Sequence, residues 1–370
     1  MSARVATGGI TTGSSGDAGP SARRRQIARK RAPWILGGLL ALVVVVSLTV
    51  GAVSIPLPAV AGVLLRGIGV PAATVSRLFP AAHWTDVDAT IILDMRLPRA
   101  LLGVLVGAGL ALAGTAFQGL FANPMADPYI IGVSAGAALG AAIAIVFRLP
   151  DAFLGFGAVP LLAFAGAIGS VFLVFNLARV RGRVPVTNLL LAGVAVSSFL
   201  AAIVAGLQVF FSQDLKEIVF WIMGSLAGRG WPHVAAVAPY VLAGAAVLLF
   251  YARDLNLILL GDEPAQHLGA DPERLRRVVL VTASLLTAAS VSMVGIIGFV
   301  GLVVPHMVRA ALGPDHRSLL PSAALGGAVL LTGADTLARC ILPPTEIPVG
   351  IITALVGGPF FLYLLRRSRV

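Results

Sequence analysis

Few residues in this chain have the type and spacing to do chemistry. The pentapeptide GVSAG, Gly132–Gly136, has the GxSxG spacing of a serine nucleophile held on a sharp turn, and His306, in another apolar segment, could be its base. That pair would make an intramembrane serine protease. The same five residues also suit a helix start packed by small side chains, so the motif alone leaves both readings open. The histidines His83, His233, His267, His306 and His316 show no metal-ligand spacing, and no metal site is expected. His306 follows Pro305, where an imidazole can bond the carbonyl that a proline frees. The only lysines, Lys30 and Lys216, are followed by Arg and Glu, so GxxxxGK[ST] is absent and the chain does not hydrolyse ATP through a phosphate loop. Cys340 is the single cysteine, which excludes an internal disulfide.

Charge is the scarcer signal. Only 12% of residues are charged, yet five of the 16 acids fall between Asp254 and Glu273, in DLNLILLGDEPAQHLGADPERLRR. There Asp262-Glu263-Pro264 reads as a capped helix start, Gly269 as its end and Asp271-Pro272-Glu273 as a second start, so two short helices meeting at Gly269 are expected. Three arginines also stand apart. Arg96, Arg99 and Arg339 fall at span ends on the expected outer face, where headgroup contact would explain any one and an acidic partner would explain all three.

The elements that must position these groups are membrane helices. With 370 residues, 58% of them hydrophobic, and a mean hydropathy of +0.96, the chain lies outside the soluble class. A bilayer core of about 30 Å needs ~20 apolar residues of helix. Such runs lie near 34–54, 98–120, 129–147, 158–178, 187–210, 233–251, 277–295, 297–313, 319–338 and 348–365. The stretch 277–313 is divided at Gly295 and Gly298; one span plus a re-entrant segment would give nine instead of ten. The expected fold is all-α and polytopic, because the runs are continuously apolar whereas barrel strands alternate. The +11 net charge points to topology rather than to nucleic acid. RRRQIARKR (Arg23–Arg31) before the first span places both termini in the cytoplasm, with the acidic loop on the same side. Residues 1–32 read as a disordered basic cytoplasmic tail, residues 55–97 as short helices capping the outer surface, and 212–231 as an interfacial helix. Ionisable groups cluster near span ends, which weakens an ion-coupled secondary transporter without excluding it.

Five stretches, taken in order, carry a resemblance: RLPRALLGVLVGAGLALAGTAFQGLFANPMADPYIIGVSAGAALGA (96–141), WIMGSLAG (221–228), LGDEPAQHLGADPERLR (260–276), GFVGLVVPHMVRAALGPDHR (298–317) and ADTLARCILPPTEIPVGIITALVGGPFFLYLL (334–365). They resemble the FecCD family, the membrane permeases of ATP-driven importers for ferric siderophores, haem and vitamin B12. The match runs from about residue 90 and leaves the N-terminal tail outside it.

The resemblance implies a permease domain over 33–370 with ten helices in a bacterial plasma membrane, a homodimer with the pathway on its axis, two ATP-binding subunits beneath and an extracytoplasmic binding protein above. ATP and Mg would sit on the partner ATPase, with no cofactor in this chain. It further implies that residues 254–277 form the coupling segment, with Asp262, Glu263, Pro264, His267, Leu268, Gly269, Asp271 and Glu273 facing the ATPase. Arg96, Arg99 and Arg339 would pair with acids of the binding protein. Gly109, Gln118, Ala195, Gly206, Gly350 and Gly357 are its pathway candidates. The substrate, whether siderophore, haem or corrinoid, stays open.

Overall fold

The computed structural model describes residues 20–80, 83–150, 157–180, 184–343 and 345–367, and among these the fold is all-α. The first helix, α1 (Pro20–Thr49), leads into three short helices, α2 (Leu57–Gly67), α3 (Ala72–Leu78) and α4 (Asp86–Thr90). A π-helical stretch, Ile91–Arg96, runs into α5 (Leu97–Leu120), followed by α6 (Val133–Val146), α7 (Ala158–Ala178) and α8 (Val186–Phe210). Then come α9 (Leu215–Ile222), α10 (Trp231–Phe250), the two short helices α11 (Ala252–Ile258) and α12 (Asp262–His267), and α13 (Pro272–Val294). The chain closes with α14 (Val300–Leu312), α15 (His316–Cys340) and α16 (Val349–Arg367).

All ten expected spans are helices. Seven helical segments are long and apolar enough to cross a membrane, while Val133–Val146, Val300–Leu312 and Val349–Tyr363 are shorter apolar helices. The protein is therefore a multi-pass membrane protein. The division of 277–313 falls where the glycines placed it: Gly295, at φ +78, ends α13, and Phe299, a non-glycine at φ +69, opens α14. Residues 55–97 form the short helices expected of them, and α9 stands for the interfacial helix.

The tail differs from expectation. Residues 1–19 lie outside the described residues, but 20–32 are helical, because the Ala, Arg, Gln and Lys of this stretch are good helix formers that simply extend the span. Arg29 also ties this turn down: its Nε donates to Leu312 O at 2.8 Å and its Nη1 lies 3.4 Å from Asp315 Oδ2.

The core is built on α5, buried along nearly its whole length and enclosed by α10, α13, α14 and α15. Small residues make this possible, since lipid gives helices no hydrophobic reason to associate and close backbone approach must supply the contact. A Cβ on Gly107 would collide with Gly327 O of α15, and one on Gly114 with Gly301 O of α14. The α6–α7 pair closes in the same way, Gly136 against Gly166. Large apolar side chains on α1, α7, α8 and α10, such as Trp34, Phe172, Phe199 and Phe250, point outward, as lipid contact requires.

The α5–α14 approach gives a direct test. Gly114→Val should destabilise by about 1–3 kcal/mol or more, read as a lower melting temperature and an aggregated peak in detergent size-exclusion chromatography. Gly169→Ala, whose Cβ would meet nothing within 4 Å, should leave both unchanged.

Candidate functional site: two charged clusters joined by one helix

One cluster lies where α1 ends, α5 begins and α15 ends. Arg96 is buried, with Nη1 donating to Leu48 O at 2.7 Å and Thr49 O at 3.1 Å, and Nη2 donating to Val53 O. It caps the last carbonyls of α1. Gly51 is small because a Cβ there would come 2.9 Å from Arg96 Nη2. Arg99 grips Asp335 in a fork, Nε to Oδ2 at 2.9 Å and Nη2 to Oδ1 at 2.8 Å, and its Nη1 reaches both Glu346 oxygens at 2.9 and 3.0 Å. Arg339 Nε stands 3.4 Å from the same Asp335, and its Nη2 donates to Ser47 Oγ at 2.8 Å. Asp335, 2% exposed, is thus shared by two arginines from two helices.

Each of Arg96, Arg99 and Arg339, expected to meet an acidic partner, also bonds acceptors within the chain. All three guanidinium groups are committed inside the chain, because a buried arginine must find acceptors and α15 and the α1 terminus supply them. Asp335 lies four residues before Arg339 in ADTLAR, an i, i+4 spacing that was legible. Glu346 and Arg229 escaped sequence reasoning; only the fold brings them to this cluster. Together these groups border a cavity of about 410 Å³ lined by Asp94, Arg96, Arg99, Arg229, Arg339 and Glu346, among others. Burial presses the Arg229 guanidinium below its ordinary pKa.

The second cluster lies at the opposite end of α15. Asn256 of α11 donates from Nδ2 to Asp315 Oδ1 at 2.8 Å, and its Oδ1 accepts from the His316 backbone N–H at 2.8 Å. Burial raises the Asp315 pKa, but the Asn256 amide, the Arg317 N–H and the Arg29 charge outweigh it and hold the carboxyl below the usual range. The acidic loop hangs from this joint. Gly261 (φ +104) and Gly269 (φ +85) bracket α12, and Arg276 Nη2 fixes Asp262 at 2.6 Å with Glu273 3.8 Å from Nη1. Asp271 accepts from Arg274 N at 3.0 Å, so it caps α13. The second short helix expected after Gly269 is therefore the first turn of the long α13, whose apolar sequence continues without a stop. Glu263, Pro264, His267 and Leu268 are exposed, as is Leu260.

The pathway candidates separate. Gly109 and Gln118 are buried; a Cβ on Gly109 would crowd Ser290 and Val241, while Gln118 donates to Leu302 O and accepts from Arg309. Gly357 lies against the Phe299 ring and Gly350 against Met223 O, so both serve helix packing. At the three glycines, close approach of neighbouring atoms accounts for the missing side chain. Ala195 is exposed and Gly206 half-buried on α8, whose outward face also carries Ala201, Ala202 and Ala205. Neither half of the protease reading is assembled. No hydrogen bond joins Ser134 to His306, and His306 Nδ1 is buried without a partner instead of bonding a freed carbonyl.

A helical, multi-pass bundle with a charged cluster at each end of one buried helix has the construction of a membrane permease. The FecCD transport family model matches residues 39–367, and the chain belongs to that family. It is 44% identical over 371 residues to the cobalamin import system permease of Halobacterium salinarum, covering 94% of this chain and 99% of that protein. It is also 44% identical over 283 residues to the hemin transport system permease of Yersinia pestis, covering 75% and 84%. A solved structure described as an inward-facing conformation of an ABC transporter, assigned to the metal-chelate type, superposes with a TM-score of 0.78 at 33% identity, covering 91% of this chain and 99% of that one.

Asp335→Ala would leave Arg99 and Arg339 buried without their shared carboxylate. A loss of about 3–5 kcal/mol is expected, visible as a large drop in melting temperature in detergent, with Asp335→Asn falling between.

Proposed function

We propose that the chain is the membrane-spanning permease subunit of an ATP-driven importer, working as a homodimer with two ATP-binding subunits and an extracytoplasmic binding protein. Its cargo is an iron chelate, haem or a corrinoid, the classes carried in the names of its relatives. The observation that carries this reading is the bolting of α11–α12 to α15. Asn256 fixes that segment to Asp315 and His316, and Asp335 and Arg339 at the far end of the same helix organise the arginine cavity.

In this reading the acidic loop faces the cytoplasm. α12 offers Glu263, Pro264, His267 and Leu268 to the ATPase as a mixed apolar and charged surface, which lipid would not favour. The Asp262–Arg276 pair and the Asn256 joint keep it from deforming under load. ATP closes the two ATPases and moves the loops; α15, packed through Gly327 onto Gly107 of α5, carries that displacement as a rigid body. Differential binding of ATP to the two states supplies the shift. The small, exposed face of α8 with Ala195, Ala202 and Ala205 suits a pathway that holds a bulky chelate weakly.

The three committed arginines then act as a scaffold beneath the docking surface. Arg96 holds the end of α1, Arg99 holds α5 to α15 and Arg339 holds α15 to α1, so a partner meets a preformed cavity.

Two measurements test the reading. In vesicles, uptake of the chelate should require ATP and the ATPase; uptake that persists on an ion gradient alone would establish a secondary transporter instead. Gly269→Pro replaces a residue at φ +85 with one fixed near −65°. It should leave membrane insertion and ATP hydrolysis in place while reducing transport per ATP by roughly tenfold, the size of a ~1.4 kcal/mol coupling loss. Unchanged coupled uptake would refute the assignment of the loop.

A further inference from the structure

At the end of the bundle that carries the acidic loop, α5, α7, α8 and α13 enclose a cavity of about 450 Å³. Its wall is apolar, with Phe121, Phe175 and the buried Leu280, and its mouth is basic, with Arg179 at the end of α7 and Arg276 and Arg277 on α13. The three cations are not equivalent. Arg276 is committed within the chain: it pairs with Asp262 at 2.6 Å and lies 3.8 Å from Glu273, the one carboxylate in the cavity lining. Arg179 and Arg277 are exposed, and among the described residues no carboxylate forms an ion pair with either; Arg277 makes one long contact, Nε to Glu273 O at 3.4 Å. Two positive charges from two helices thus converge on one apolar hollow without an answering anion. Arg253, Arg274 and Arg317 are exposed at the same end, but none of them borders this cavity.

The apolar wall continues onto the membrane face. Phe172, two turns before Arg179 on α7, is 69% exposed, and Val281, one turn beyond Arg277 on α13, is 54% exposed. Past Val281 a second hollow of about 410 Å³ runs between α10 and α13, lined by Tyr240, Gly244 and Val247 with Thr282 and Leu285. At about 1.5 Å per residue, Thr282 and Leu285 stand roughly 8 and 12 Å beyond Arg277 along the helix. The first cavity is also turned away from the small, exposed face of α8: Leu189, which lines it, is buried and lies on the opposite side of that helix from the exposed Leu191.

We propose that an anionic phospholipid binds here, with its phosphodiester between Arg179 and Arg277 and one acyl chain along Val281 toward the groove against α10. Basic pockets between membrane helices take such headgroups, and a phosphate offers oxygens to guanidinium N–H groups from both helices at once. The lipid therefore links the end of α7 to the start of α13, beside the Asp262–Arg276 pair that holds α12. A zwitterionic headgroup brings its own cation to a site that already has two. A soluble subunit would answer the arginines but would leave Phe172 and Val281 uncovered, whereas a lipid answers both.

The test uses the full-length chain in detergent, with dioleoyl phosphatidylglycerol, dioleoyl phosphatidylcholine and inorganic phosphate as probes. Titration followed by native mass spectrometry should show the glycerol lipid bound roughly tenfold more tightly than the choline lipid. The double variant Arg179→Ala/Arg277→Ala should weaken that binding roughly 10- to 30-fold, the range of two arginine contacts near a membrane surface, and leave the choline lipid unaffected. Arg253→Ala/Arg317→Ala removes the same charge from the same end and should bind as wild type does. A phosphatidylglycerol with a photoreactive acyl chain should label α7, α10 and α13 of the wild-type chain, a readout that needs no variant. Equal binding of the two lipids, an Arg179→Ala/Arg277→Ala variant within twofold of wild type, or labelling confined to other helices would each overturn the proposal. Displacement of the lipid by millimolar inorganic phosphate would give the arginines to a soluble anion, and displacement by added ATPase subunits would make the cavity a protein contact; either result overturns it as well.

Discussion

The shared carboxylate of Asp335 is the constraint on which this bundle depends. It is 2% exposed and lies between Arg99 of α5 and Arg339 of its own helix. Removing two arginines from water inside a membrane bundle is costly, and one acid answering both keeps that cost tolerable. The arrangement also fixes geometry. With Arg99 clamped on Asp335, the first turn of α5 cannot slide along α15, and the glycines one and two turns below can close without the Cβ atoms that would hold the backbones apart.

From that fixed pair the rest of the molecule follows in two directions. Toward the arginine end, Arg96 caps α1 and Arg339 reaches Ser47, so α1 joins the body although little of its own surface is buried. Toward the loop end, α15 begins at a network in which Asn256, Asp315, His316 and Arg29 bind α1, α11 and α15 together. A 25-residue helix at about 1.5 Å per residue separates the two networks. A displacement applied at α12 therefore has a stiff route to the cavity, with no flexible link between α11 and α15. The break at Gly295–Phe299 is the opposite kind of element: it shortens α14, leaves Phe299 in the left-handed region and seats Gly357 on its ring. Irregular backbone is tolerable there because protein rather than lipid surrounds it.

Much of the fold was legible because lipid imposes one simple rule. Continuous apolar runs had to be helices, and each of the ten came out as one, including the division of 277–313 at its glycines. The helix start at Asp262, the turn at Gly269 and the N-cap at Asp271 were equally readable, since each depends on neighbours within a few residues, although Asp262 itself does not cap α12 but pairs with Arg276. What misled was the end of an element: nothing local distinguishes a first turn that stops from one that runs 23 residues as α13 does. The pathway glycines carry a related ambiguity. A small residue serves access and close packing alike, and at Gly109, Gly350 and Gly357 a facing helix decides which.

The arginines divide the two sources of information most clearly. The sequence alone determined that Arg96, Arg99 and Arg339 sit at helix ends where cations need a reason, because charge in an apolar chain is costly wherever it falls. It also determined where the apolar helices fall, the position of the acidic loop and the family resemblance. Only the tertiary structure decided which acceptors each arginine meets, since Asp335 and Glu346 lie more than two hundred residues from Arg99 along the chain. Pairing at that separation is set by how helices stack, and the same stacking brought Arg229, inconspicuous in sequence, to the edge of the cavity.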